Sequence, residues 1–185
     1  MIDLGTVVLR PFEPHDIEHL YSFRNDWQVK QYLGGFSSGY SRPNLKEWIR
    51  FHQNRDDEVL WAIATKKGDR CIGHVGLYKI DSRVRKGEFA IIIGDVNWWG
   101  KGVGRSATVA MLDWGFHQLN LHKISLSVLA SNKKAIRLYQ HLGFRREGTL
   151  RDEQFRDRAY HDVVLMSLLD REWRLMARDG RHAPR

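Results

Sequence analysis

The chain has 185 residues, 42% of them hydrophobic and 28% charged, with seven Trp, eight Phe and six Tyr. That length suits one domain with one core, and the composition excludes a disordered chain. The net charge of +8 favours anionic partners, and the single cysteine, Cys71, excludes an internal disulfide and a cysteine-based zinc site.

The predicted elements alternate along the chain. Residues 4–10 read as a strand rich in Val and Leu. Residues 14–26 carry Ile17, Leu20, Tyr21 and Phe23 at helical spacing. Residues 34–39 hold three glycines and two serines and read as a loop. A helix is expected over 44–53, where Asn44 and Glu47 have the spacing of a capping box. Residues 59–65 and 71–79 read as two strands joined across KKGD. Residues 86–95 contain FAIII and read as a strand buried on both faces. After a glycine-rich segment, a helix from about 102 to 118 keeps Val103, Ala107, Ala110, Met111 and Trp114 in period. Residues 122–130 form a further strand, and 133–142 a short helix stopped by Gly143. Residues 144–155 and 160–168 pair as a hairpin across RDRA. A single domain over 1–174 is expected, with a flexible polar tail over 175–185.

This order implies an α/β (α+β) fold, a mixed sheet with helices packed on it. The unit from 86–95 through a helix to 122–130 is a crossover, so those two strands are expected to be parallel neighbours.

Function classes narrow in the same way. No apolar run approaches the roughly 20 residues that span a bilayer. The start, MIDLGTVVLRPFEP, lacks the basic head and long apolar stretch of a signal peptide, so a cytoplasmic location and no membrane partner are expected. The basic residues are scattered. The densest groups lie at 83–86 and 145–158, the second interleaved with Glu147, Asp152, Glu153 and Asp157. With no helix-turn-helix or RNA-binding signature, no nucleic-acid partner is expected. His15 and His19 are spaced i,i+4, but no glutamate completes a HExxH motif, and no metal site is expected.

Residues 97–107 read NWWGKGVGRSA. A Walker A loop fails here, because the lysine falls between glycines. A dinucleotide fingerprint starting at Gly100 fails too, because its third glycine position is Arg105. The physical elements of an anion site survive: a strand end, a permissive turn and a helix N-terminus with unpartnered N–H groups. Lys101 and Arg105 add charge. A tight strand-to-helix turn with no ligand is the other reading.

Residues 132–144 read NKKAIRLYQHLGF. This resembles the closing motif of the GNAT superfamily, the Gcn5-related N-acetyltransferases, N-x-x-A-x-x-x-Y-x-x-x-G-F. Asn132, Ala135, Tyr139, Gly143 and Phe144 fill its positions. Trp99–Gly104 is similar to the family's acetyl-CoA signature Q/R-x-x-G-x-G/A, with Gly102 and Gly104 in agreement and Trp99 departing from Gln or Arg. The resemblance extends from VVLRPFEPHD to YHDVVLMSLL. GEFAIII and LNLHKISLSV are similar to the ribosomal-protein and spermidine acetyltransferase branch.

The resemblance implies a mostly antiparallel mixed sheet of about seven strands and about four helices, with a splayed central parallel pair. It implies acetyl-CoA as cosubstrate, without a metal. The pyrophosphate would lie on the amides of Trp99, Gly100, Lys101, Gly102, Val103 and Gly104, near Arg105. The pantetheine arm would pair with backbone at Ile91, Ile92 and Ile93 and pass Asn132 and Ala135. Tyr139 would protonate the leaving thiolate; its other reading is core packing. Glu88 is the expected base, or else a structural or substrate-binding carboxylate. The expected reaction is direct acetyl transfer to a primary amine, and a noncatalytic acyl-CoA-binding module is the alternative. The acceptor stays open among an amino sugar, an antibiotic, a polyamine and a protein N-terminus. Residues 32–42, YLGGFSSGYSR, carry no acid, which disfavours polyamines. A homodimer through a sheet edge or the C-terminal hairpin is expected for the branch.

Overall fold

A computed structural model describes residues 1–33 and 39–178. The first strand is broken. Gly5 turns at φ +87°, its N–H donating to Asp3 Oδ1, so that β1 (Ile2–Asp3) folds back on β2 (Val7–Arg10). The expected helix over 14–26 forms, and a second, short helix follows it. Asp26 adopts an extended backbone after α1 (Asp16–Asn25), and its carboxylate caps α2 (Trp27–Lys30) at Gln28 N–H. The next helix, α3 (Arg42–Gln53), starts earlier than expected. Ser41, not Asn44, is its cap and accepts from Asn44 N–H, which corrects the capping-box reading.

The strands β3 (Val59–Thr65), β4 (Cys71–Asp81) and β5 (Lys86–Ile93) form an antiparallel meander. The helix α4 (Val103–Asp113) continues as a π turn over Trp114–Gln118. Gly115 suits that turn, since a Cβ there would lie 2.8 Å from Ile124 and 2.9 Å from Leu77. Then come β6 (Lys123–Leu129), α5 (Lys133–His141), and the hairpin β7 (Arg145–Arg156) and β8 (Ala159–Leu169). The chain continues past β8 as a helix, α6 (Asp170–Arg178), anchored by the fully buried Trp173, whose indole N–H donates to Asp113 at 2.9 Å.

Eight strands make one sheet in the order β1-β2-β3-β4-β5-β6-β8-β7. Among the described residues, only β5 and β6 run parallel. The described residues thus hold one strand and two helices more than the expected seven and four, within the expected class. The apolar residues separate into two clusters. One joins the sheet to α4, Tyr139 and Trp173; the other joins it to α1, α2 and α3.

The parallel pair is short. It holds only through Lys86↔Lys123, Gly87↔Ile124 and Glu88↔Ser125. Beyond Glu88, β5 stays with β4 as far as Gly73↔Ile93, while β6 stays with β8 as far as Leu129↔Val163. The two half-sheets therefore diverge. This corrects the expectation of a strand buried on both faces: Phe89 is buried, but Ala90 is exposed and Ile91, Ile92 and Ile93 are only half-buried.

Candidate active site

The divergence opens a cleft of about 790 Å³. Its walls are β5 from Phe89 to Ile92, β6 from Leu126 to Leu129, and the α5 residues Ala135 and Tyr139, with Asn132 just before that helix. The far side is closed by α1, α2, Tyr40 and the β7–β8 hairpin. Arg156 ties that hairpin to the end of α2, donating to Lys30 O at 3.0 Å, Gln31 O at 2.8 Å and Leu33 O. Alternate backbone groups of a strand point to each of its sides. Past Glu88, those of β5 that face β6 have lost their β6 partners. They are available to an extended ligand lying in the splay.

Five of the expected residues meet in this cleft: Ile91, Ile92, Asn132, Ala135 and Tyr139. Asn132 caps α5, its Oδ1 accepting from Ala135 N–H at 3.1 Å. The stop after α5 is local too: Gly143 takes φ +88°. Between these ends, Tyr139 is held by ring contacts to Phe89 and Phe144. It is 8% exposed, and burial pushes its phenol up to about 12. Packing and a place in the cleft wall therefore coexist in one side chain.

The glycine loop lies at the end of β5, beside the cleft. Asp95 anchors its entry, pairing with Arg70 at 2.6 Å and accepting from Asn97 N–H. Trp99 folds back, its indole N–H donating to Ile93 O at 2.8 Å and its ring meeting Tyr32 of the cleft wall edge-on. Gly100 and Gly102 take φ +75° and +81°, and nothing lies within 4 Å of a Cβ at either. Gly102 caps α4, whose first internal bond runs from Ser106 N–H to Gly102 O. The amides of Val103 and Gly104 precede that bond and have no carbonyl within the helix to donate to. An open glycine cradle at a helix N-terminus fits a pyrophosphate. Lys101 lies over the Trp98 ring at 5.4 Å, and Arg105 lines a separate groove between α4 and β1 rather than the cleft.

Glu88 stands at the fork itself, the last parallel-paired residue of β5. Its carboxylate is half exposed and pairs with Lys79 at 3.0 Å. It lines a smaller hollow with Glu58 and Tyr78, whose lining shares Phe89, Ala90, Leu126 and Ser127 with that of the cleft. The loop over 34–39 lies outside the described residues, apart from Gly39. Cys71 is buried, and burial pushes its thiol up to about 12, so it is no nucleophile. Among the described residues, no group of three or more His, Cys, Asp or Glu side chains is placed to hold a metal ion. No helix among the described residues is long and apolar enough to cross a membrane.

Sequence reasoning missed Arg24. It lies on α1 with 8% exposure and lines the cleft. Its Nη2 is 2.9 Å from His74 Nε2 on β4. His74 sits opposite Ile92 in register and so shares its face of the sheet. Burial, then the nearby Arg24 charge, hold the His74 imidazole well below its ordinary pKa, so it is neutral. One signal was available: Arg24 falls four residues after Leu20, on the buried stripe of α1.

Comparison with known proteins agrees with this geometry. Residues 6–145 match the family described as Acetyltransferase (GNAT) domain. The chain is 33% identical over 168 residues to the spermidine N(1)-acetyltransferase of Vibrio cholerae serotype O1, covering 90% of this chain and 95% of that protein. It is 31% identical over 169 residues to the Escherichia coli K12 spermidine N(1)-acetyltransferase, covering 91% and 88%. The crystal structure of the Vibrio cholerae spermidine N-acetyltransferase in complex with CoA and spermine superposes with a TM-score of 0.81 at 32% identity, covering 91% of this chain and 98% of that one. With a family match over most of its length and the splayed cleft of the fold, the chain belongs to the GNAT acetyltransferase family and is an acetyl-CoA-dependent N-acetyltransferase.

Proposed function

We propose that acetyl-CoA lies along β5 in the splay, with its pyrophosphate on the glycine loop, and that the acceptor amine enters from the α1–α2 side. The acceptor is a small molecule or a peptide N-terminus bearing a primary amine. Transfer is direct. The amine nitrogen bonds to the acetyl carbon, the carbon–sulfur bond breaks, and the thiolate takes a proton from Tyr139. Backbone N–H groups of β5, freed by the splay, stabilise charge on the thioester oxygen. The amine is an ammonium near neutrality and must first lose a proton. Glu88, in the hollow next to the cleft, receives it through solvent. Tyr139 carries this reading: its phenol is buried, stays protonated well above neutral pH and lines the cleft.

The test is CoA release over a panel of peptides, amino sugars, aminoglycosides and polyamines. Tyr139→Phe is expected to lower kcat about 100-fold while the KM for acetyl-CoA barely moves, as for loss of a general acid. Full activity in that variant overturns the assignment. Glu88→Gln is expected to flatten the acid limb of the pH–rate profile; an unchanged limb removes Glu88 from the mechanism. Two copies of the chain meet, in the same reading, along the open edge of β7, where Phe155 and its β8 neighbour Tyr160 are each 64% exposed, their rings tilted against each other at 5.0 Å. Light scattering of the wild type and Phe155→Ser tests that edge.

A further inference from the structure

Arg24 is a buried cation without a counterion among the described residues. Its contacts are the neutral His74 at 2.9 Å and Tyr40 Oη at 3.5 Å, with the rings of Trp48 and Tyr40 at 4.5 and 5.2 Å from the guanidinium carbon. Its Nε is shielded and has no hydrogen-bond partner. The arrangement is built, not incidental. Asn25 holds Tyr40 in place, accepting from Tyr40 N–H and donating to Tyr40 O, both at 2.9 Å. His74 holds the other end of the guanidinium beside Ile92. Ring faces and two neutral hydrogen-bond partners offset part of the cost of a buried charge but supply no counter-charge. Among the described residues, the other charged side chains lining the cleft are Lys30, Arg156 and Asp157, so cations outnumber acids there. A polycationic acceptor would meet repulsion in such a cleft; an anionic group would meet a partner.

We propose that the acceptor carries an oxyanion, a carboxylate or a phosphate, that pairs with Arg24 while its amino group faces the thioester. This rests on the transferase reading above and names the substrate class of the same site.

The experiment measures CoA release by the full chain at saturating acetyl-CoA with matched amines. The pairs are glucosamine and glucosamine 6-phosphate, and phenylalanine amide and phenylalanine, with spermidine alongside. The wild type is expected to favour the oxyanion-bearing member of at least one pair by about 10- to 100-fold in kcat/KM, the range of a charge-assisted hydrogen bond. The two pairs separate phosphate from carboxylate. Arg24→Gln is expected to bring that ratio close to one. Equal or better use of the neutral members or of spermidine overturns the inference, as does an unchanged ratio in Arg24→Gln. Should that variant fail to fold, the wild-type ratios decide alone. No CoA release from any amine overturns the transferase reading, and the inference with it. Turnover without an oxyanion preference overturns the inference only.

Discussion

Single residues hold the site open. Gly100 and Gly102 occupy left-handed backbone, and the space above them is empty of protein atoms. Gly104 differs: it has ordinary φ, and a Cβ there would meet only Ile93 Cγ1, at 3.9 Å. The two positions therefore separate backbone strain from ligand contact. Gly102→Ala is expected to destabilise the fold by about 1–2 kcal/mol, the cost of left-handed backbone for an L side chain, and to raise the KM for acetyl-CoA. Gly104→Ala is expected to leave the melting temperature unchanged, so any rise in its KM reports crowding of the bound cosubstrate. Melting curves and initial rates check both. The departure at Trp99 also has a local explanation. Its indole closes the end of β5 through Ile93 O, so this side chain organises the loop from within.

At the scale of elements, α1 is fastened at both ends by buried polar groups. Near its start, the guanidinium of Arg10 on β2 makes two bonds to Asp16, at 2.7 and 3.0 Å, and a third to Asp69 of the β3–β4 turn. Asp16 has no exposed surface and Arg10 only 7%. Removing one partner strands the other without solvent. Arg10→Met is expected to cost about 3–5 kcal/mol in denaturant unfolding. Replacing Arg10 and Asp16 together by apolar residues should recover much of it, which a double-mutant cycle measures. The consequence is functional as well as structural. α1 carries Arg24 and Asn25 into the cleft, so loosening its N-terminal anchor should also raise the KM for the acceptor.

For the whole molecule, the packing of α1 and α3 on the sheet sets a pH response. His74 is buried and neutral, and its pKa lies well below its ordinary value of 6.5. The unfolded chain then binds this proton near 6.5 while the folded chain does not. Stability is thus fully present above 6.5 and is lost as pH falls from there toward the folded pKa, with a slope of up to about 1.4 kcal/mol per pH unit. The carboxylates held low by ion pairs, such as Asp69 and Glu147, act only below their ordinary values of 3.8 and 4.5. Unfolding free energies between pH 7.5 and 5.5 should fall in the wild type and stay flat in His74→Gln.

Some of this was legible in the residues and some was not. NKKAIRLYQHLGF could be read because its cap, apolar stripe and glycine stop act within one turn of chain, and the helix formed as written. The α/β class, the crossover and the parallel neighbours followed from element order, since a crossover unit has few ways to close. Boundaries failed where tertiary packing overrode local signals. Trp173 anchors α6 by reaching Asp113, which no local signal announced, and Ser41 displaced the expected cap. By itself the sequence determined the fold class, the glycine cradle, the Tyr139 helix and the resemblance that pointed to acetyl-CoA. Only the tertiary structure decided that β5 and β6 part after Glu88, that Glu88 faces a side hollow, and that Arg24 and His74 meet across 50 residues of chain. The reason is range: caps, turns and periodicity act between near neighbours, whereas a buried charge is placed by the packing of a helix on a distant strand.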